Sequence, residues 1–210
     1  MPRTEMPQHP KYDILHNLDA DIRPPVRPTV YLAGPGVFLT TAREHGKALI
    51  ALAEINDLVG LYPLPTEDIP EPNLRLPPEL TAASIRQANI RMIEQCDGVL
   101  ADLTPFRGVS ADPGTTYEIG YAQALGKPVI GYVSSRDMLS EYKSRIGHTL
   151  SHVGEADASG KRQTILIAED GMTVEDFGLS DNLMFTSALQ GLFTNVESAM
   201  EAMADLLSSR

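Results

Sequence analysis

Three carboxylates follow one short apolar run, and their spacing points more directly to chemistry than any other part of this sequence. The run Gly98-Val-Leu-Ala ends at Asp102, a loop rich in Pro and Gly leads to Asp112, and a helical pattern then carries Glu118. If the run is a strand of an open parallel sheet, these acids lie at the sheet's carboxyl edge, where such folds bind ligands. An ionised Glu there can attack an anomeric carbon or stabilise an oxocarbenium-like transition state.

Each of the three acids also has a purely structural interpretation. We expect Glu118 in the first turn of a helix that begins near Gly114, where the helix dipole favours a carboxylate by about 0.3–1 kcal/mol and lowers its pKa. Asp112 suits either a helix N-cap or a contact to a substrate hydroxyl. Asp102 is suited either to stabilising the loop that follows it or to acting as a functional acid. The residue types alone leave these alternatives open.

A second feature is the turn Gly34-Pro-Gly36, which follows another apolar run. The turn is not a dinucleotide-binding fingerprint, because Leu39 stands where the third Gly is required. We expect a tight turn in which Gly34 lets a substrate approach the backbone closely. This turn is predicted to lie beside the loop that follows Asp102.

Hydrophobic periodicity predicts strands that alternate with helices along the chain. We predict strands within 28–36 and at 61–64, 99–102, 129–133 and 164–168, and helices from 40 or 41 to 58, from 78 or 79 to 95, and at 114–125 and 192–208. Residues 134–163 are interpreted as a helical piece followed by a long loop. This alternation predicts an α/β fold, a doubly wound, flavodoxin-like open parallel sheet of about five strands with helices on both faces. Residues 1–28 are interpreted as an N-terminal extension and 29–210 as a single domain.

Composition narrows the range of partners and compartments. The chain has 210 residues and a formal net charge of -11, and this acidic balance argues against nucleic acid or an anionic membrane as a partner. Its one cysteine, Cys96, allows no intrachain disulfide, and no uncharged apolar run has the length of a membrane helix or a signal peptide core. These features predict a cytoplasmic protein.

The motifs of several common cofactor sites are missing from the sequence. The five histidines lack a spacing typical of metal ligands, and neither a P-loop nor a nucleophile-elbow motif is present. We therefore expect chemistry that uses no metal and no organic cofactor.

The chain resembles a known family, the nucleoside 2-deoxyribosyltransferases. Four stretches carry the resemblance, in the family's order: Val30-Tyr-Leu-Ala-Gly-Pro35, Ile85 to Ile93, Ala101-Asp-Leu-Thr-Pro-Phe-Arg-Gly108 with Asp112 to Gly120, and Asn182-Leu-Met184. Each stretch is weak alone, and together they are fairly specific for the branch with a DLxPFRG loop.

The resemblance implies roles for individual residues. Glu118 matches the nucleophile that attacks C1′ of the deoxyribose, Tyr31 matches a tyrosine that positions it, and Asp112 matches an acid near the sugar 5′-hydroxyl. Asn182 and Met184 match residues that a neighbouring subunit contributes, which implies a homo-oligomer such as a dimer or hexamer. We also assign to substrate binding four residues in or beside the matching stretches: Gly34, Phe38, Asn89 and Phe106.

One position departs from the family's pattern. Many members have an Asp that handles the leaving base where this chain has Asn89, and an amide cannot donate and recover a proton as a carboxylic acid can. Either Asp102 takes over the contact to the base, as a catalytic residue, or the base leaves through hydrogen bonding alone.

The predicted activity is the transfer of 2-deoxyribose between nucleobases through a covalent deoxyribosyl-Glu118 intermediate, with net retention. One alternative is an N-glycoside hydrolase of nucleosides or nucleoside 5′-monophosphates, for which Arg107 near the site would suit a phosphate. Another is a non-catalytic nucleoside or nucleotide sensor. The predicted partners are small nucleosides and nucleobases in a salvage role, and the sequence does not distinguish purines from pyrimidines.

Overall fold

The computed structural model describes residues 27–63, 77–134, 136, 140–147, 149–156, 159–160 and 162–209. The predicted N-terminal extension, 1–28, lies almost entirely outside these described residues. Within them, no helix combines the length and the apolar character needed to cross a membrane.

Eight strands and six α-helices form the described architecture. The strands are β1 (Thr29–Ala33), β2 (Val59–Leu61), β3 (Gly98–Asp102), β4 (Val129–Tyr132), β5 (Thr149–Ala156), β6 (Arg162–Ala168), β7 (Thr173–Val174) and β8 (Gly191–Phe193). The helices are α1 (Ala42–Ile55), α2 (Pro78–Gln95), α3 (Pro113–Ala124), α4 (Tyr142–Arg145), α5 (Leu183–Thr186) and α6 (Val196–Ser208), with a short 3-10 helix at Pro35–Phe38.

Five parallel strands form the main sheet in the order β2-β1-β3-β4-β8. This is the flavodoxin-like order, in which the chain reverses its direction of winding between β1 and β3. Strand β4 is buried along its whole length, and β1 and β3 are buried except at one end, as expected for parallel strands covered on both faces. The predicted α/β fold class is therefore confirmed.

Helices cover both faces of this sheet. On one face, Leu49 of α1 and Met200 and Met203 of α6 pack in one cluster with Leu32 and Leu100. On the other face, Ile93 of α2 and Ile119 and Ala122 of α3 pack with Val99 and Val129. Glu118 precedes Ile119 on α3, so the helix that carries the predicted nucleophile is anchored by fully buried apolar residues.

Four predicted elements differ from the structure. The strand predicted at 164–168 lies in a separate antiparallel sheet, β5-β6-β7, and part of the predicted long loop is β5. The fifth strand of the main sheet is instead β8, and the helix predicted at 192–208 included two of its three residues. The helix begins only at Val196, because the Asn195 side chain caps it by accepting from the Ser198 backbone N–H at 2.8 Å. Strand β2 begins two residues before the predicted start.

Candidate active site

The loops after β1 and β3 meet at the carboxyl edge of the sheet, where the winding direction reverses. Gly34 follows β1 directly, and Asp102 is the last residue of β3. A Cβ at position 34 would lie 2.8 Å from the Cβ of Asp102, closer than two such atoms approach in folded proteins. Gly34 therefore allows the two loops to touch, and it lines a cavity at this edge.

Glu118 lies in the second turn of α3, since the helix begins at Pro113. Its Oε1 accepts a hydrogen bond of 2.6 Å from the Tyr31 hydroxyl, which projects from β1, and its carboxylate accepts a second one from the Asn89 side chain. Three elements distant in sequence, β1, α2 and α3, thus place one group each at this point. The structure brings together Tyr31, Glu118 and Asn89.

The prediction that the helix lowers the pKa of Glu118 is wrong. Burial is the largest influence and raises the pKa of Glu118 to about 7, while the hydrogen bonds from Tyr31 and Asn89 lower it and the nearby charge of Asp112 raises it. The helix dipole stabilises the Glu118 carboxylate less than expected, because its effect fades beyond the first turn and Glu118 lies in the second. The carboxylate therefore changes its charge near neutral pH.

Asp112 has the structural role that the sequence offered, and its contact to a substrate hydroxyl stays a prediction. It is the N-cap of α3, and its Oδ2 accepts from the backbone N–H of Thr115 at 2.9 Å and from the Thr115 hydroxyl at 3.2 Å. Among the described residues, its Oδ1 accepts no hydrogen bond, and Asp112 lines the same cavity as Gly34 and Glu118. One carboxylate oxygen thus holds the helix, and the other is left for a ligand hydroxyl.

Two cavities meet at Glu118. The first, which we call the loop cavity, has a volume of about 310 Å³ and is lined by Gly34, Val37, Phe38, Pro63, Ile85, Asn89, Asp112, Gly114, Thr115 and Glu118. The second, the helix cavity, has a volume of about 470 Å³ and is lined by Ala82, Ile85, Arg86, Asn89, Ile90, Ile93, Gly114, Tyr117 and Glu118. Four residues line both: Ile85, Asn89, Gly114 and Glu118. An elongated ligand could therefore pass from one cavity to the other across the Glu118 carboxylate.

Asp102 does not line either cavity. Its Oδ1 accepts from the backbone N–H of Thr104 at 2.9 Å and from the Thr104 hydroxyl at 2.5 Å, and burial raises the pKa of Asp102. These contacts brace the start of the loop that leads to Asp112. The predicted catalytic role of Asp102 stays a prediction, and the position of the side chain favours the bracing role.

Two predicted substrate-binding aromatics stack on each other. The rings of Phe38 and Phe106 lie 5.2 Å apart at an interplanar angle of 17°, and the Arg107 guanidinium lies 5.4 Å and 4.7 Å from their centroids. Phe38 lines the loop cavity, whereas Phe106 stacks on Phe38 and lines neither cavity. Despite its closeness in sequence to the other loop residues, Arg107 does not line either cavity.

Asn182 and Met184 lie outside both cavities of this chain. Asn182 caps α5 by accepting from the Met184 backbone N–H at 3.0 Å, and its Nδ2 donates to Glu175 at 2.8 Å. Met184 is 76% exposed.

Two further residues beside the candidate site are evident only from the structure. Asp181 is 3% exposed and accepts from Ser110 and from the Ala111 backbone N–H, so it fixes the loop immediately before Asp112. Arg86 lines the helix cavity one turn before Asn89 on α2. The i, i+3 spacing of Arg86 and Asn89 was a signal that could have been noticed, whereas Asp181 had no distinguishing pattern. Within the described residues, no cluster of His, Cys, Asp and Glu could hold a metal ion.

Comparison with known proteins identifies the family. Residues 30–184 match the model of the family described as nucleoside 2-deoxyribosyltransferase. A protein of Schizosaccharomyces pombe described as uncharacterized is 30% identical over 163 residues, covering 75% of this chain and 74% of its own length. The chain belongs to the nucleoside 2-deoxyribosyltransferase family.

Solved structures agree with this assignment. A 2-deoxyribosyltransferase from Leishmania mexicana is similar, with a TM-score of 0.62 and 31% identity, over 85% of this chain and 97% of the other. A 2-deoxyribosyltransferase from Bacillus psychrosaccharolyticus shares the fold, with a TM-score of 0.50 and 17% identity over 84% of this chain and 95% of the other. The chain is thus a nucleoside deoxyribosyltransferase-type enzyme.

Proposed function

We propose that this protein transfers 2-deoxyribose between nucleobases through a covalent intermediate on Glu118. The contact between the Tyr31 hydroxyl and Glu118 carries the proposal, because it aims a buried carboxylate from the sheet edge into the space shared by two cavities. Family membership and the similarity to the Leishmania enzyme support the same chemistry.

The two cavities suggest how a nucleoside binds. The deoxyribose occupies the loop cavity, where Oδ1 of Asp112 accepts a hydrogen bond from the 5′-hydroxyl and Phe38 forms one wall. The base extends past Asn89 into the helix cavity, which is lined mainly by apolar groups. This pose places C1′ beside Glu118 at the junction of the cavities.

The reaction then proceeds in two displacements. An oxygen of ionised Glu118 forms a bond to C1′ while the C1′–N bond breaks, and the electron pair leaves with the base. A ring nitrogen of a second base attacks C1′ from the side that the first one left, the proton on that nitrogen passes to solvent, and the bond to Glu118 breaks with its electron pair returning to the carboxylate. Two inversions give net retention of configuration.

Asn182 and Met184 are proposed to act in the active site of a second subunit. Both lie outside the cavities of their own chain, and Met184 is exposed. We assign them to the active site of a neighbouring copy, so that the working enzyme is a homo-oligomer.

A base-exchange assay tests the proposed activity. A 2′-deoxynucleoside is incubated with a different free base, and the products are separated by chromatography. The proposal predicts the exchanged nucleoside, and a mass increase of one deoxyribosyl group on the peptide that contains Glu118 when donor is supplied alone.

The variants Glu118→Ala and Glu118→Gln should lose exchange by about 10⁴-fold or more, as expected for removal of a nucleophile. Release of free sugar without exchange would instead support the hydrolase. Tight nucleoside binding without turnover, unchanged in Glu118→Gln, would support the sensor.

A further inference from the structure

The departing base develops a negative charge, and neither Asn89 nor Asp102 is suited to stabilise it. When the C1′–N bond breaks, the base takes the electron pair and becomes an anion unless it is protonated or its charge is stabilised. The Asn89 amide holds no acidic proton, and it already donates a hydrogen bond to Glu118. Asp102, the other acid considered for this step, does not line either cavity.

Arg86 is placed to supply the missing positive charge. It is the only basic side chain among the described residues that line either cavity. It precedes Asn89 by one turn of α2, so the two side chains share a helix face. Asn89 lines both cavities, whereas Arg86 lines only the helix cavity, in which the proposed pose places the base.

The Arg86 guanidinium is held in position by Tyr117. Its Nη2 donates to the Tyr117 hydroxyl oxygen at 2.8 Å, and the guanidinium lies 5.6 Å from the centroid of the Tyr117 ring. In the part of the chain that the structure describes, no carboxylate forms an ion pair with Arg86. No described carboxylate therefore neutralises its positive charge, and guanidinium N–H groups other than the one bound to Tyr117 can donate to a ligand.

We propose that Arg86 contacts the base and stabilises the negative charge that develops on it as the C1′–N bond breaks. This inference rests on the proposed deoxyribosyl transfer and adds the residue that assists the leaving group. The charge on a departing base is delocalised over its ring nitrogens and carbonyl oxygens, which are acceptors for guanidinium N–H groups. Arg86 keeps its proton throughout, and the released base anion takes its proton from solvent.

A pair of donors that differ in leaving-group ability tests this role. 2′-Deoxyuridine and its 5-fluoro analogue carry bases of nearly the same shape, but the fluorinated base is the better leaving group. For a purine-specific enzyme, 2′-deoxyadenosine and its 2-fluoro analogue serve the same purpose. The rate of base release in a single turnover is measured for each donor with the full chain.

The variant Arg86→Gln should slow release of the unfluorinated base by about 100-fold, the usual loss when one charge-stabilising donor is removed. Release of the fluorinated base should slow several times less, because its anion needs less help. Arg86→Lys, which keeps the charge but not the planar fork, should recover part of the rate.

Arg91→Gln is the matched control, since Arg91 is exposed on the same helix and lines neither cavity. Equal slowing of both donors in Arg86→Gln, or rates equal to those of Arg91→Gln, would overturn the proposal. If the wild-type protein itself fails to exchange bases, the proposed function fails, and this outcome is separate from a failure of the Arg86 assignment.

Discussion

At the scale of single residues, Glu118 is a buried carboxylate toward which two neighbours donate hydrogen bonds. Burial disfavours the charged form, whereas the Tyr31 hydroxyl and the Asn89 amide favour it. The result, a pKa of about 7, leaves Glu118 partly ionised at neutral pH. The two donors therefore do more than orient the proposed nucleophile, because they also influence the fraction of Glu118 that is ionised.

This balance predicts the pH dependence of the reaction. Because only ionised Glu118 attacks C1′, kcat/KM should rise with pH through a midpoint near 7 and then level off. Tyr31→Phe removes a donor that lowers the pKa, so the midpoint should move to higher pH. The loss of rate should accordingly be larger at pH 6 than at pH 9.

Base-exchange rates measured across this range with both proteins give the two midpoints. Tyr121→Phe is a suitable control, since its hydroxyl donates to Glu94 rather than to Glu118. A midpoint that stays in place or moves down in Tyr31→Phe would contradict the assigned role of Tyr31.

At the scale of elements, the site depends on how two loops are tied together. Both oxygens of the buried Asp181 accept hydrogen bonds: Oδ1 from the Ser110 hydroxyl at 2.6 Å and the Asn182 backbone N–H at 2.8 Å, and Oδ2 from the Ala111 backbone N–H at 2.9 Å. Arg145 lies 3.6 Å from Oδ2 and donates to the carbonyls of Val109 and Ser180. This cluster joins the loop before Asp112 to the segment that starts α5.

Asp181→Asn should weaken nucleoside binding more than chemistry. An amide can accept with one oxygen only, so part of the bonding to Ser110 and Ala111 is lost and the Asp112 loop becomes less well positioned. We expect KM for the donor to rise by about tenfold, with a smaller change in kcat, and stability to fall by about 1–3 kcal/mol.

Steady-state kinetics and denaturant unfolding measure both effects. Asp205→Asn, an exposed position on α6, is the control and should change neither quantity. An unchanged KM in Asp181→Asn would show that the loop keeps its position without this carboxylate.

How far the sequence predicts this fold depends on the kind of element. The buried strands β1, β3 and β4 and the helices α2 and α3 were recognisable because apolar runs and Pro or Gly boundaries mark them. Strand β8 has only three residues, all half-buried, and is separated from a strongly amphipathic helix by two residues. Its hydrophobic signal merged with that of the helix, and only pairing with β4 makes it a strand.

The candidate site was predictable in its residue types but not in its energetics. Glu118, Tyr31, Asp112 and Asn89 were identified from motifs, and the structure places them around one junction. The direction of the Glu118 pKa depends on burial by residues far away in sequence, which no local pattern contains. The contacts of Asp181 join residues that lie about 70 positions apart in the sequence, so no local sequence pattern indicates them.

At the scale of the whole molecule, we predict that active sites are shared between subunits. The variant Glu118→Ala lacks the nucleophile, and the double variant Asn182→Ala/Met184→Ala lacks the residues proposed to reach a neighbour. Each should be nearly inactive alone. In a dimer of the mixed proteins, one site combines an intact Glu118 with an intact neighbouring segment.

Mixing the two variants under conditions of subunit exchange should therefore restore activity to about a quarter of the wild-type value, since half of randomly formed dimers are mixed and each has one intact site. Light scattering determines the oligomeric state in parallel. A monomer with full activity, or an oligomer that shows no recovery on mixing, would exclude shared sites.

The burial of Glu118 also makes folding of this chain a proton-uptake reaction. In the unfolded chain the carboxyl titrates near its ordinary value of 4.5, and in the folded protein near 7. Between these pH values the folded state holds more of this proton, so the stability that Glu118 contributes below pH 4.5 is lost as pH rises through 7, up to about 3 kcal/mol. Refolding near pH 6 therefore draws a proton from the buffer at Glu118, and the contribution of this one residue to stability is greatest while its carboxyl group is uncharged.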